Sequence, residues 1–259
     1  MQPMIFVGGA PRSGTTVTHA LLCTSQKTSP YHAEISFVRP LFNAYCVGMQ
    51  NWESHTCAFF KTPTDFKVHM RECLDHSLNH LAKVQGNPEI LCVKDPLLTP
   101  LFYWVQDLFV DRVKLVVVVR NPYNVVRSRQ EVIKKTGRAF TAGDAAATAH
   151  EYMESYLHID APALQSSLFV LRYEDLMETS VLKQLRSFTG CDDIDPAKVW
   201  AETWPANAAA ADNPWVSPKH LGPINTDDRL SPLAAEYMAV VDRICAPMMN
   251  RFNYPRQSR

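Results

Sequence analysis

The 259-residue chain has no surplus of charge: 26 lysines and arginines meet 26 aspartates and glutamates. Without a global basic field, nucleic acid and anionic membranes are not expected partners, and any anion site must be built locally. Long apolar runs are also missing. The longest, Leu115–Val119, is strand-sized, well short of the ~20 residues that span a bilayer. The seven cysteines (Cys23, Cys46, Cys57, Cys73, Cys92, Cys191 and Cys245) are odd in number, scattered, and form no C-x-x-C. That argues against a disulfide framework and for a reduced, cytoplasmic protein with buried thiols, Cys23 and Cys92 lying inside apolar patterns. The nine histidines include no H-E-x-x-H, and no His/Cys spacing matches a zinc site, so no metal is expected. No signal peptide is expected either, because a strand candidate begins at Met4. No repeat or low-complexity block divides the chain. With 46% hydrophobic and 20% charged residues, one domain over 1–259 is the expected organisation.

Four short apolar runs rich in Val, Ile and Leu are present: Met4–Val7, Ile90–Val93, Val113–Val119 and Leu168–Leu171. They lack polar alternation, which predicts buried parallel strands covered on both faces. Helical segments are predicted at Gly14–Leu22, Phe66–Val84, Tyr123–Lys135, Gly143–Leu164 and Leu176–Thr189. A last helix opens at Ser231-Pro232, with Pro247 expected to kink or end it. The alternation predicts an α/β fold of three layers around a central, mostly parallel sheet. Gln50–Thr64 and Pro205–Asp228 fit neither pattern and read as long loops.

Between the first strand and first helix lies GGAPRSGTT. A strand, a Gly-rich turn and a helix N-terminus aim successive backbone N–H groups at one spot and so bind anions. From Gly9 the spacing is the G-x-x-x-x-G of a P-loop, but Thr15 stands where an NTPase has its lysine. The loop should hold a phosphate without the cation that reaches the β/γ-phosphates of ATP, offering Arg12 instead.

Ligands of open α/β sheets bind beyond the carboxyl ends of the strands. There the chain places GGAPRSGTT, then Lys94-Asp95-Pro96, then Arg120-Asn121-Pro122 with Ser128 eight residues on, then Arg172-Tyr173-Glu174-Asp175. Cations recur at one topological end of a neutral chain, which indicates a local polyanion site. Asp95 before a proline reads as a turn or cap residue rather than a magnesium ligand.

PRSGTT, K-D-P, R-N-P-x(5)-S and R-Y-E-D-L in this order resemble the sulfotransferase family, which uses 3′-phosphoadenosine 5′-phosphosulfate (PAPS) and needs no metal. Arginine in the loop, K-D-P and a downstream glutamate look closest to the tyrosylprotein branch. The resemblance implies that Arg12, Ser13, Gly14, Thr15 and Thr16 hold the 5′-phosphosulfate. Arg120 and Ser128 would hold the 3′-phosphate, and Tyr173 would lie beside the adenine. Ser217 and Lys219 would belong to a loop closing over the nucleotide. Lys94 and Arg12 would face the leaving phosphate, and Glu34 would be the base, with His32 its rival. Bottom-up chemistry asks for the same parts: a base within reach of the acceptor hydroxyl and cations at the leaving oxygen. The expected acceptor is a small hydroxyl or amine compound, with a peptide as the other option. Phe37, Phe42, Tyr45, Trp52 and Phe59 are candidate pocket residues. A homodimer is compatible with the resemblance. A P-loop kinase using ATP and a non-catalytic nucleotide-binding module are the alternative readings.

Overall fold

The computed structural model describes residues 2–199, 224, 226 and 233–256. Its centre is a sheet of four parallel strands, β1 (Met4–Gly9), β2 (Leu91–Lys94), β3 (Val113–Val119) and β4 (Leu168–Arg172), in the order β2-β1-β3-β4. The four predicted strands are present. β1 runs further than expected, because Gly8 and Gly9 pair with Val117 and Val118 instead of opening the turn. At Gly9 only glycine fits: its φ is +140°, and a Cβ would lie 2.3 Å from the Val118 carbonyl oxygen.

Successive side chains of β1 alternate between two cores, as the pleat requires. Met4 and Phe6 pack into the larger one, under helices α2 (Arg39–Gln50), α3 (Pro63–Val84), α4 (Phe102–Phe109), α5 (Pro122–Lys135), α6 (Ala142–Ser155) and α8 (Ala235–Arg251). Ile5 and Val7 pack into the smaller one, with α1 (Thr15–Leu22) and α7 (Thr179–Thr189). Helices therefore cover both faces, and the fold is the three-layer α/β arrangement.

The helices differ from expectation in places. The predicted Gly143–Leu164 helix stops at Ser155, and only a short 3-10 turn, Pro162–Leu164, follows. Tyr156 leaves helical geometry there, and its hydroxyl bonds Val118 O at 2.8 Å. Of the two outcomes expected at Pro247, an end is excluded, since α8 continues to Arg251. Buried Met248 and Met249, and the Tyr254 N–H on Met249 O at 2.9 Å, hold the segment despite the missing donor. Helix α4 was not foreseen, although Phe102, Val105, Leu108 and Phe109 form its buried stripe. The predicted loop Pro205–Asp228 and the Ser231-Pro232 start lie almost wholly outside the described residues. Among the described residues no helix is long and apolar enough to cross a membrane.

The chain runs from β1 to one side for β2 and then to the other side for β3. The switch point of the sheet thus lies between the carboxyl ends of β1 and β3, where such folds form a crevice.

Candidate active site

The loop after β1 sits in this crevice. Its turn is closed by the Ser13 N–H on Ala10 O at 3.0 Å. Helix α1 starts behind Gly14, whose φ of +104° and lack of side chain leave the helix without a side-chain cap. The first N–H groups of α1 are therefore open to an anion, with the positive end of the helix dipole behind them. Arg12 itself is left-handed, with φ +74°, a conformation that costs a non-glycine residue of order 1 kcal/mol or more. Distant side chains hold the backbone in place. Gly9 N–H donates to Thr99 Oγ1 at 2.7 Å, Ala10 N–H donates to the Tyr156 hydroxyl at 3.0 Å, and the Tyr152 hydroxyl donates to Arg120 O at 2.9 Å. None of these three residues was signalled by sequence, since each acts across a large sequence separation.

Tyr173 lies against Gly14, and a Cβ on Gly14 would stand 2.2 Å from its Cδ2. Gly14→Ala combines this clash with a left-handed backbone. It should cost ~1–3 kcal/mol in a thermal melt and also displace Tyr173 from the loop.

The cations predicted to serve two phosphates converge. Arg12 Nε donates to Ser128 Oγ at 3.0 Å, Arg120 Nη1 donates to Arg12 O at 3.0 Å, and the Arg120 guanidinium lies 4.5 Å from the Tyr173 ring centroid. Arg12 thus links the loop to the Arg120–Ser128 end, a connection absent from the predicted assignment. Burial, and then the charges of Arg120 and Arg129, push the Arg12 guanidinium down to about 10. Crowded positive charge of this kind is relieved by a bound anion, so the residues present fit a phosphorylated ligand. Arg129 is held by Glu151 at 2.6 Å. Arg172, the cation after β4, does not join them: it lies 4.8 Å over the Tyr254 ring and 3.7 Å from Asp175. Glu174, from the same motif, accepts from Asn121 N–H at 2.9 Å and from the Tyr254 hydroxyl at 2.8 Å, tying the chain's end to the loop after β3.

On the other side of the loop, Lys94 Nζ donates to Glu34 Oε1 at 2.9 Å and to Thr16 Oγ1 at 3.0 Å. Lys94 is buried at the end of β2, whereas 46% of the Glu34 side chain is exposed. Burial lowers the Lys94 pKa, and Glu34 partly opposes that. Glu34 is no helix cap, because α2 starts only at Arg39. His32 turns both ring nitrogens to carbonyl oxygens, Nδ1 to Ala33 O at 2.7 Å and Nε2 to Cys92 O at 3.0 Å, so neither nitrogen is turned toward an incoming hydroxyl. Asp95 is the cap expected of it. One oxygen accepts from Leu97 N–H at 3.0 Å, and the other lies 3.5 Å from Arg39.

Among the candidate pocket residues, Phe42 and Tyr45 belong to the core instead, both fully buried, with the Tyr45 hydroxyl bonded to Asp107. Trp52 is partly buried against the same core, while Phe37 and Phe59 are 58% and 82% exposed. Ser217 and Lys219 lie outside the described residues. The structure also brings His19, Cys23 and Cys92 together, and places His76 and His80 one turn apart on the exposed side of α3. Sequence reasoning passed over both groupings.

A solved sulfotransferase domain from the curacin biosynthetic pathway superimposes with a TM-score of 0.59 at 17% identity, covering 99% of each chain. A sulfotransferase domain from the Synechococcus PCC 7002 olefin synthase gives 0.56 at 17% identity, covering 94% of each. Both similarities concern the fold. No curated protein sequence matches the chain. The sequence profile of the sulfotransferase family matches residues 3–195, three quarters of the chain and all four loops of the site, and the chain belongs to the sulfotransferase family.

Proposed function

We propose that this sulfotransferase moves the sulfuryl group from PAPS to a hydroxyl or amine of a small acceptor by in-line displacement, with Glu34 as the base. The observation that carries the proposal is the Glu34–Lys94–Thr16 chain, which sets a carboxylate and a cation against the open end of the phosphate loop. When bound, PAPS supplies an activated sulfuryl group on an adenosine that bears phosphates at both ends. The α1 N-terminus, Ser13, Gly14, Thr15 and Thr16 would hold the 5′ end. Arg120 and Ser128 would hold the 3′-phosphate with Tyr173 beside the base, while Arg12 reaches both ends. Ser217 and Lys219 are assigned to the closing loop on the resemblance alone. No metal is assigned to the transfer step.

Glu34 is half exposed, so an acceptor can reach it, and its carboxylate lies 2.9 Å from the Lys94 ammonium. Once Glu34 is neutralised, the Lys94 charge is no longer shared with a carboxylate. It then acts more fully on the negative charge growing at the leaving oxygen. Exposed Phe37, three residues beyond Glu34, supports an apolar or aromatic acceptor. The Glu base and the loop arginine favour the tyrosylprotein-like branch, and a peptide acceptor is the outcome against which small molecules are to be compared.

Thermal shift with 3′,5′-adenosine bisphosphate against Mg·ATP, followed by an acceptor screen with labelled PAPS, tests the proposal. Stabilisation by Mg·ATP alone would favour a kinase. Tight bisphosphate binding without transfer to any acceptor would favour a binding module. Within this scheme Arg120→Ala should weaken the bisphosphate by ~10–100-fold in calorimetric titration, as loss of a charged hydrogen-bonding partner predicts. Arg12→Ala should lose both affinity and turnover, because its side chain touches Ser128 while its backbone forms the loop. Arg138→Ala, which removes an exposed pair with Asp144, should change neither. Equal small effects at Arg12 and Arg120 would remove the phosphate assignment.

A further inference from the structure

A second cluster of chemically capable side chains lies beneath the phosphate loop. A ring nitrogen of His19 and the sulfurs of Cys23 and Cys92 all lie within 4.8 Å of one another. His19 and Cys92 are fully buried, and Cys23 is 7% exposed. His19 and Cys23 are one turn apart at the end of α1, and Cys92 comes from β2. Both cysteines are free of disulfides.

The histidine supplies the independent observation. Its Nε2 lies 3.1 Å from Cys92 O, so the Nε2–H tautomer donates there. Nδ1 then keeps its lone pair, yet it is buried and has no hydrogen-bond partner. An imidazole with one nitrogen donating to a backbone carbonyl and the other left with an unused lone pair beside two thiols is arranged as metal-ligating histidines are. A buried polar atom without a partner is otherwise costly.

We propose that His19, Cys23 and Cys92 form a site for a thiophilic d10 cation, zinc(II) or copper(I), that staples α1 to β2. Two thiolates and a neutral imidazole make a zinc unit of zero net charge, which is cheaper to bury than the singly negative copper(I) unit, so zinc is favoured. His32 can complete a tetrahedron on rotation of its ring, whose centroid lies 5.0 Å from that of His19. Binding exchanges two S–H bonds for two Zn–S bonds and releases two protons to solvent. Because two protons leave as the thiolates bind the ion, affinity should rise with pH. The staple joins the helix that carries Thr15 and Thr16 to the strand that ends in Lys94, so occupancy would stiffen the phosphate loop and its cation together.

The exposed side of α3 carries His69, Cys73, His76 and His80, a second place for such an ion to land. The test therefore uses the full chain with Cys73→Ser and His76→Gln. Expression in cobalt-supplemented medium should give one equivalent of metal, with the thiolate-to-cobalt charge-transfer band of two sulfur ligands and tetrahedral d–d bands. Zinc at a hundredfold excess over Kd should raise the Tm by roughly 5–10 °C. Cuprous ion, supplied under argon, forms the comparison arm. Cys23→Ala should abolish the charge-transfer band and the Tm rise. Where that variant does not fold, maleimide labelling of the parent chain is the readout. A chelator should expose Cys23 and Cys92 to labelling and leave Cys46, Cys191 and Cys245 unchanged. Absence of the band, its persistence in Cys23→Ala, labelling indifferent to chelator, or a Cys23–Cys92 disulfide in the isolated protein would each overturn the proposal.

Discussion

Glu34→Gln should leave 3′,5′-adenosine bisphosphate bound as tightly as in the parent chain while turnover falls by ~10²–10⁴-fold. The amide keeps the shape of the side chain and can still accept from Lys94, so the Glu34–Lys94–Thr16 arrangement survives. What it cannot do is take a proton from the acceptor. The loss should appear in kcat rather than in nucleotide affinity, because Glu34 bonds Lys94, whereas Arg12 bonds Ser128 and Arg120 bonds the Arg12 carbonyl oxygen. Glu34→Asp, which keeps the carboxylate but withdraws it by one methylene, should recover part of the rate. Pre-steady-state measurement with a saturating acceptor separates this chemical step from product release. A Gln variant turning over at near-parental rate would exclude Glu34 as the base. His32 would not become the default, since both of its ring nitrogens face carbonyl oxygens.

The second large effect is expected at Lys94. Lys94→Met preserves the buried stem and removes the charge, so turnover should fall by ~10²–10³-fold, as when one donor to a developing oxyanion is deleted. The fold should tolerate the change better than it would a broken fully buried pair. The partner left behind, Glu34, is 46% exposed and can be solvated. The parent enzyme should also show this lysine in its pH profile. In the proposed role the ammonium is the active form, and its charge disappears as pH rises through the pKa in the folded protein. Burial lowers that pKa from the ordinary 10.5, so the alkaline limb of kcat should lie below the position of an unperturbed lysine. Lys94→Arg, charged throughout this range, should retain some activity and shift the limb upward. An unchanged limb in Lys94→Arg would assign it to another group.

Much of the fold was legible because the strands are short, apolar and bounded by turn residues. Val113–Val119 reads as a buried strand from any starting point, since so dense a β-branched run fits little else. Helix ends were less legible. Asn121 announces its helix by capping Tyr123 N–H at 3.0 Å, whereas Thr62, which caps Asp65 N–H at 3.1 Å, was not read as a start, and α3 begins at Pro63 instead of the expected Phe66. Tyr156, by contrast, ends α6 for the sake of bonds to Val118 and Ala10, partners far away in sequence. The apolar stripe of α4 was too short to stand out. In the aromatic stretch, residue type suggested a pocket, but whether a ring lines a site or fills a core depends on what packs over it. Phe42 and Tyr45 are covered, whereas Phe37 is not.

The sequence by itself determined the chemistry at hand: an anion-binding turn without the P-loop lysine, cations after successive strands, and a carboxylate downstream. Local spacing suffices for these features, because a strand–turn–helix unit folds its own N–H groups toward one point. Only the tertiary structure decided which of these groups work together. The β2-β1-β3-β4 order brings the ends of β1 and β3 into one crevice, so Arg12 meets Ser128 and Arg120 while Arg172 is left to Tyr254. The pairing of β1 with β2 brings Lys94 to Thr16 and Glu34, and it brings Cys92 to His19 and Cys23. Hydrogen bonds and ligand sets need atoms within a few ångströms. Across sixty or more residues of chain, sheet order and register set that distance, and no local pattern encodes it.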